Sequence, residues 1–360
     1  MRATRLVARG FRNLADLELD LPAPGAAFLG PNGHGKTSLL EAIYYPVLFR
    51  SVRGAPDLEV TRWEGSGFSL CLTTEGGPVA ELAAQFVRAG RRRKLALDGA
   101  ETERLADAVG RWLAVAFLPT DLSLVQGPAA DRRAYLDRVL SLAHPPYFRA
   151  LIRYRGALAQ RNAALRQGRA DLAHSFDAIL AGPGSVIVQE RIAWVQSTEA
   201  QLGRECALLG EPEPVSLRYR GNVELVDEAQ WGTAFAAAEA RETTRGMTLV
   251  GPQRDDLVLE LDGHDLRQFG STGQHRTAAI ALKLCELVTL AATRNSEPAL
   301  LLDDVFAELD PARQAGLAER LREGSRQVFV TSPRRDELPD ELDLPVFEVR
   351  EGRVHAGVGV

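Results

Sequence analysis

The sequence predicts an α/β chain: one nucleotide-type domain with much antiparallel strand near its start, interrupted by a mainly helical insertion. Three observations carry this reading. Apolar and polar residues alternate through the first third, take helical spacing from about residue 128, and return to short strands from about 214. A glycine-rich turn, "GPNGHGKT" at 30–37, stands between an apolar strand and a helix. A second apolar run, in "PALLLDDVFAELD" at 298–310, ends in paired carboxylates.

Taken in order, "TRLVARGF" and "ADLELDL" predict two strands, and "GAAFLG" a third, buried one ending at Gly30. Residues 37–49 have helical spacing, with Pro46 marking an end or a kink. Between 57 and 118, "GFSLCLTT", "VAELAAQFV" and "KLALDG" predict short strands joined by glycine-rich and charged turns. Helical spacing then runs to about 207, and Pro145-Pro146 and "GPG" at 182–184 are expected to break it into separate helices. No heptad pattern is sustained, which excludes long coiled-coil arms. Strands return at 214, followed by a helix opening near Ser271, the strand before Asp303 and a strand-rich tail. The expected partition is a head formed by 1–127 and 246–360, with a helical second lobe over 128–245.

Composition narrows the class. Of 360 residues, 45% are apolar and 25% charged, as in an ordinary globular chain. No apolar run reaches about 18 residues, so no membrane span is expected. The N-terminus lacks a signal-peptide core. Cys71, Cys206 and Cys285 have neither disulfide-framework nor zinc spacing, so reduced thiols and a cytoplasmic location are the expectation. A net charge of −5 argues against a generally basic coat but leaves room for a local basic groove. Lysine occurs only at 36, 94 and 283, so arginine supplies nearly all the positive charge and its abundance carries little functional weight.

"GPNGHGKT" matches G-x-x-x-x-G-K-[ST] in full and in the required strand–loop–helix context. Gly30, Gly33 and Gly35, with Pro31, Asn32 and His34 between them, let successive N–H groups face phosphate oxygens. The helix N-terminus at Lys36, Thr37 and Ser38 adds its dipole. Lys36 is placed to bridge β- and γ-phosphates and Thr37 to offer a hydroxyl to Mg²⁺. Asp303, at the end of the second apolar strand, is placed to hold the same ion, and Asp304 to polarise an attacking water. Alone, two carboxylates after a strand could equally be a strand cap. "STGQ", with Ser271, Gly273 and Gln274 at a helix start, reads either as an ordinary helix cap or as a second phosphate-facing site. One γ-phosphate is already cradled, so a second site suggests use on a partner subunit's nucleotide.

In this order "GPNGHGKT", "STGQ" and "LLLDDVFAELD" resemble the ABC-type ATPase heads, with "STGQ" similar to their signature motif. In that family two heads sandwich two ATPs. The resemblance implies that Lys36 of one subunit and Ser271 of the other bracket each γ-phosphate, and that Asp310 of "AELD" connects the sites across an ATP-dependent homodimer. The interval between loop and signature is longer than in transport ATPases and far shorter than in SMC-type proteins. That interval, with "LVARGFRNLADLELDL", "FLPTDLSLVQGPAADRRAYLDRVL" and "LVGPQRDDLVLELDGHDLRQFGSTGQHRTAAIALKL", is similar to the RecF family of recombination-mediator ATPases. The match runs over nearly the whole chain. It implies Arg12 and Asn13 on the adenine and ribose side. Gln126 looks like the glutamine that senses Mg²⁺ and attacking water, although a glutamine before Gly-Pro is also an ordinary loop residue. It also implies DNA, double-stranded or gapped, as a partner, with RecR, and with RecO and RecA in RecA loading. A transporter ATPase subunit and an SMC-like tether are the alternatives.

Two departures from the broader ABC pattern are visible. Asp304 replaces the usual glutamate, and Thr331-Ser332 stand where many heads place a histidine on the γ-phosphate. Slow hydrolysis is therefore expected, with Thr331→His faster than wild type. For DNA, the densest basic run holds Arg91, Arg92, Arg93 and Lys94, on a hairpin turn or edge strand; it reads as a phosphate-contacting patch or as a solvated turn. Arg132, Arg133, Arg149, Arg153 and Arg155 form a second set, several of which are expected to make intramolecular ion pairs.

Overall fold

The computed structural model describes residues 1–357. By contact the chain divides into two compact units, one of residues 1–121, 208–210 and 286–360, the other of 122–207 and 211–285. The partition by sequence character falls at 127 and 245; the contacts instead divide the chain at 121 and 285. The strand at 256–261 is the cause, because it pairs with its neighbours in the second unit.

The first unit carries two six-stranded sheets. One is antiparallel: β1 (Arg2–Arg9), β2 (Leu17–Asp20), β4 (Gly67–Glu75), β5 (Glu81–Val87), β6 (Arg92–Leu97) and β7 (Ala100–Thr102), in the order β2-β1-β4-β5-β6-β7. Its alternating sequence buries one face. Along β4, Phe68, Leu70, Leu72 and Thr74 are buried while the residues between them are half-exposed. The other sheet comprises β3 (Gly25–Leu29), β8 (Ala114–Phe117), β12 (Ala299–Asp303), β13 (Val328–Ser332), β14 (Val346–Arg350) and β15 (Arg353–Ala356). Its order is β15-β14-β3-β13-β12-β8, and all but β15 run parallel to their neighbours. Parallel strands covered on both faces need continuous apolar runs, and β12, β13 and β8 are buried along their whole length. Each fully buried leucine of β12 contributes about 1.5–3 kcal/mol.

The second unit holds the helices Ala129–Ala143, Pro145–Arg166, Asp177–Leu208 (to Ala207) and Gln230–Arg245. It also holds a three-stranded sheet of β9 (Val215–Arg220), β10 (Asp256–Leu261) and β11 (His264–Asp265), in the order β11-β10-β9. Pro145 and Pro146 stand in the first turn of their helix, where the missing N–H costs nothing, so that predicted break is real. The break predicted at "GPG" is not. Residues Asp177–Leu208 form one helix of 32 residues that runs through Pro183. Packing overrides local propensity here. A Cβ on Gly184 would stand 2.2 Å from the Trp231 ring, so only glycine admits that buried indole, whose Nε1 donates to Ser185 Oγ and the Leu225 carbonyl.

Candidate nucleotide site

The phosphate loop leaves β3 at the carboxyl ends of the parallel strands, where open α/β sheets hold ligands. Gly30 has φ 152°, and a Cβ there would stand 2.2 Å from the Val349 carbonyl oxygen of β14, so the turn requires glycine. Gly35, at φ 108°, caps the helix Lys36–Tyr44 with no side-chain cap and no acidic residue in its first turn. That leaves the helix start free to receive an anion. His34 faces away from the site: its carbonyl accepts from Gly352 N at 2.9 Å and its Nδ1 from Glu351 N at 3.2 Å, which ties the loop to the β14–β15 hairpin. Lys36, only 6% exposed, folds its ammonium onto the carbonyls of Gly30 (2.6 Å) and Pro31 (3.1 Å) and onto Asn32 Oδ1 (3.2 Å). Burial lowers its pKa, against the pull of Asp304 and Asp303.

The carboxylates meet the loop directly. Thr37 Oγ1 donates to both oxygens of Asp303, at 2.9 and 2.8 Å. Thr331, paired with Asp303 in register, donates its Oγ1 to Asp303 Oδ1 at 2.8 Å and accepts the backbone N–H of Asp304 at 3.0 Å. Asp304 is held in the left-handed region, φ 54°, and its Oδ1 is buried without a hydrogen-bond partner among the protein's groups. Burial raises its carboxyl above the ordinary range; Lys36 opposes this, and Asp303, Glu337 and Glu308 reinforce it. Thr331 and Ser332, which stand where many heads place a histidine, are both engaged within the protein. Thr331 is 1% exposed and braces the two aspartates, while Ser332 Oγ donates to Glu337 at 3.0 Å. Glu337 escaped the sequence reading because no motif flags it.

These groups fit Mg²⁺. The Thr37 hydroxyl and the Asp303 carboxylate are hard oxygen donors side by side, with the orphaned Asp304 oxygen next in the chain. Among the described residues no group of three or more His, Cys, Asp or Glu could cage a metal by itself. That suits an ion that keeps waters and takes substrate phosphates.

A cleft of about 670 Å³ opens over this constellation, lined by Asn32, Gly33, Gly35, Lys36, Thr37, Ser38, Asp303 and Asp304 on one side. Arg12, Asn13, Arg53, Glu59, Thr61, Arg62, Trp63 and Pro119 line the rest. Asn13 is tied to the loop, donating to the Gly33 carbonyl at 2.9 Å and accepting from Ser38 Oγ at 2.7 Å. Arg12 lines the cleft with its hydrogen bonds already committed: Nε and Nη2 each reach Glu41 at 2.9 Å, and Nη1 the Glu59 carbonyl at 3.0 Å. Glu41 is buried, which opposes its charge, but the bonds from Arg12, Ser51 and Arg53 win and hold its carboxyl below the usual range.

The remaining sequence-predicted residues lie elsewhere. Asp310 caps the helix Pro311–Arg322, accepting from Arg313 N at 3.0 Å and pairing with the Arg313 side chain. In the second unit Ser271 and Gln274 form a capping box: Ser271 N donates to Gln274 Oε1 at 2.9 Å and Gln274 N to Ser271 Oγ at 3.3 Å. Gly273 follows in the first turn of the helix Thr272–Arg294. Gln126 also belongs to the second unit, and its Nε2 lies 2.7 Å from His275 Nδ1. The Leu266 carbonyl, 2.8 Å from His275 Nε2, can only accept, so Nε2 carries the proton and Nδ1 accepts from the glutamine amide. Gln126 does not line the cleft; Pro119, in the loop leaving β8, does.

Of the basic residues, Arg91 (φ 48°) and Arg92 are exposed at the turn into β6. Arg93 donates to the Phe49 carbonyl at 2.8 Å and Lys94 pairs with Glu101 at 3.1 Å. The expected internal pairing of the second set holds for Arg132 with Asp256 (2.7 Å) and Arg155 with Asp137 (2.6 Å), and Arg133 donates to the Asp255 carbonyl at 2.8 Å. Arg149 and Arg153 are exposed.

The chain is similar to known proteins along nearly its whole length. A family model described as an AAA domain matches residues 5–111. The DNA replication and repair protein RecF of Chloroflexus aurantiacus is 34% identical over 400 residues, covering 99% of this chain and 100% of its own. That of Heliobacterium modesticaldum is 38% identical, covering 96% of each. A solved structure described as the recombination mediator RecF–ATP in the RecFOR pathway superposes with TM-score 0.90 at 26% identity, covering 99% of this chain and 97% of that one. A Pyrococcus furiosus Smc head superposes at TM-score 0.57 and 16% identity, which speaks to fold alone: an ABC-type head, here without a long coiled coil among the described residues. With the phosphate loop, the braced carboxylates and near full-length identity in hand, this chain belongs to the RecF family of DNA replication and repair proteins.

Proposed function

We propose that the chain is an ATP-dependent, DNA-binding recombination mediator and a slow ATPase, in which ATP closes a homodimer on DNA near single-strand gaps and hydrolysis releases it. The observation that carries this is the Thr37–Asp303–Asp304 constellation under the phosphate loop. Relatives described as recombination mediators of the RecFOR pathway support the pathway assignment, with RecR and RecO as partners and RecA loading as the outcome. Among the described residues no helix is long and apolar enough to cross a membrane.

In this reading Lys36 exchanges its carbonyl partners for phosphate oxygens, and loop N–H groups of residues 30–37 take the remainder. Thr37 and Asp303 would hold Mg²⁺, which supplies charge neutralisation at the phosphates. Asp304, pinned by Thr331, orients and accepts the proton of the attacking water; its position on a left-handed backbone leaves it little adjustment, consistent with slow turnover. Ser271, Gly273 and Gln274 serve the partner subunit's nucleotide, and Asp310 lies at the interface. Gln126 acts on that arrangement through His275. Arg91 and Arg92 contact DNA phosphates, with Arg93 and Lys94 as secondary members. The functional head would then combine 1–127 with 246–360, and 128–245 would form the second lobe.

Sedimentation with and without MgATP tests the core of this. Wild type should become a dimer, and Lys36→Ala and Ser271→Arg should remain monomers. A wild type that binds ATP tightly yet stays monomeric would overturn the clamp.

A further inference from the structure

The stretch "LVGPQRDD" at 249–256 has no part in the nucleotide site. Its residues Pro252 and Gln253 line a second pocket, of about 210 Å³, built wholly within the second unit. Leu151 and Leu158 of the helix Pro145–Arg166 and Ile187 of the helix Asp177–Leu208 give it an apolar wall. Ala130 and Ala134 of the helix Ala129–Ala143 line it too and are exposed, so they form its rim. The polar lining is Arg133, Asp137, Tyr154, Arg155, Arg191 and Gln253.

Most of these polar groups are spent within the protein. Asp137 accepts from Tyr147 at 2.5 Å and Arg191 at 2.8 Å on one oxygen, and from Arg155 at 2.6 Å on the other. Arg191 also holds the Pro252 carbonyl at 2.7 Å and Asp255 at 3.0 Å. Tyr154 donates to Gln253 Oε1 at 2.5 Å, and Gln253 Nε2 to the Val250 carbonyl at 2.7 Å. Arg133 differs. The buried arginines of this unit, Arg132, Arg161 and Arg191, each hold a carboxylate in an ion pair. Arg133 is half-buried and makes one hydrogen bond, from Nη1 to the Asp255 carbonyl at 2.8 Å, with no ion pair among the described residues. Burial pushes its pKa down and the like charge of Arg191 adds to this, while Asp256, Asp255 and Asp137 only partly offset it. A guanidinium carries five N–H donors in a planar fork, so most of those on Arg133 are left for a ligand. Arg155, 55% exposed, spends only Nη2, on Asp137. Arg133, Arg155 and Arg191 set against Asp137 and Asp255 leave one positive charge over.

We propose that this pocket takes the C-terminal residue of a polypeptide that ends in a compact apolar side chain: the terminal carboxylate bridges Arg133 and Arg155, and the side chain lies against Leu151, Leu158 and Ile187. Chemistry selects this class. Paired guanidinium forks match a carboxylate or a phosphate. A phosphate brings no apolar body, and setting it against leucine and isoleucine desolvates it without return. A hydroxylated metabolite finds no free partner, because Tyr154 and Gln253 are committed to each other and to a carbonyl. A chain end needs only the two arginines and the wall. The volume suits one aliphatic residue with its carboxylate, and the alanines of the rim leave the preceding residues a way to solvent. Binding supplies Arg133 with the anion that a desolvated charge requires. The proposal does not depend on the nucleotide reading.

The test is fluorescence anisotropy on the full chain with a labelled pentapeptide ending in leucine and with its C-terminal amide, using N-acetylleucine and inorganic phosphate as unlabelled competitors. The free-acid peptide should bind, and the amide about ten- to a hundredfold more weakly, the range for hydrogen bonds to a charged group. N-acetylleucine should compete weakly, and phosphate more weakly still. Arg133→Gln should weaken the acid by the same factor and leave the amide unchanged, while the melting temperature stays level or rises because an uncompensated charge is removed. Ala134→Trp, on the exposed rim, should block the peptide and leave MgATP binding unchanged. An Arg133→Gln protein that melts lower yet binds the peptide normally makes Arg133 purely structural and overturns the proposal. Equal affinity for acid and amide overturns it as well, as does no binding of the acid up to about 1 mM. Phosphate competing better than N-acetylleucine would reassign the pocket to phosphate groups, and N-acetylleucine matching the peptide would reassign it to a free small carboxylate; either overturns the chain-end assignment.

Discussion

Replacing Thr331 by valine keeps its shape and removes one hydroxyl that makes two bonds. The hydroxyl donates to Asp303 Oδ1 at 2.8 Å and accepts from Asp304 N at 3.0 Å, in a place 1% exposed. Losing a hydrogen bond to a charged group costs about 1.5–3 kcal/mol, and orphaning a buried N–H about 1–3 kcal/mol. Two effects offset part of this. Asp303 keeps Thr37 as a donor, and Asp304, at φ 54°, relaxes a backbone strain of about 1 kcal/mol once freed. The net loss should be about 3 kcal/mol, read as a lower urea midpoint at unchanged m-value. Turnover of MgATP should fall more than ATP affinity does, because the water-facing carboxylate loses its brace while Lys36 and the loop remain. Thr331→Ser should recover both properties. Thr331→His, expected from motif comparison to speed turnover, should instead destabilise, since an imidazole must displace the two aspartates it would sit beneath. A Thr331→Val protein equal to wild type in midpoint and rate would refute the bracing argument.

Two further outcomes rest on burial and on charge. Burial raises the Asp304 carboxyl above its ordinary value of 3.8, so the folded chain holds that proton more tightly than the unfolded one. Its charge therefore costs no stability in acid below about pH 3.8, and the cost grows as pH rises through the folded value. Asp304→Asn should thus be more stable than wild type at neutral pH and lose that advantage in acid, as checked by thermal melts across pH; an advantage independent of pH would contradict the burial argument. For DNA, Arg91→Ala with Arg92→Ala should weaken binding to any duplex sequence and reduce the salt slope by about one unit per arginine. Lys94→Ala, already paired with Glu101, should do much less.

Where chemistry depends on near neighbours in the chain, the sequence was sufficient. Glycines at 30, 33 and 35 with Lys36 and Thr37 describe a loop whose conformation is set within eight residues, and the structure folds it so. An apolar run ending in Asp303 and Asp304 likewise reads as a buried strand, because a strand covered on both faces takes a continuous apolar run in place of an alternating one. "GPG" at 182–184 misled for the opposite reason. Its local preference for a break is outweighed by Trp231, a residue 47 positions or so further along that fills the gap beside Gly184. The bracing role of Thr331 and the place of Glu337 were not legible because their partners, Asp303 and Ser332, reach them through strand register and a turn rather than through a motif.

Gln126 shows how such non-local pairing decides a site. In the chain it follows β8 closely, before Gly-Pro and a helix, which is where a glutamine facing the nucleotide is sought. Sheet order sets where this segment starts. β8 pairs with β12 in parallel, Phe117 opposite Leu302, so the backbone leaving β8 emerges beside Asp303 and Asp304. From this segment Pro119, in the first turn after Phe117, lines the cleft. By Leu122 the chain has entered the second unit, and four residues on, the Gln126 amide is spent on His275. Gln126 and the capping box of Ser271 and Gln274 thus share one helix start, since His275 follows Gln274 directly. If Gln126 influences hydrolysis, its effect travels with that helix, and Gln126→Ala and His275→Phe should then shift turnover by the same factor and add nothing to each other when combined. Additive effects would place Gln126 at the nucleotide independently of the helix.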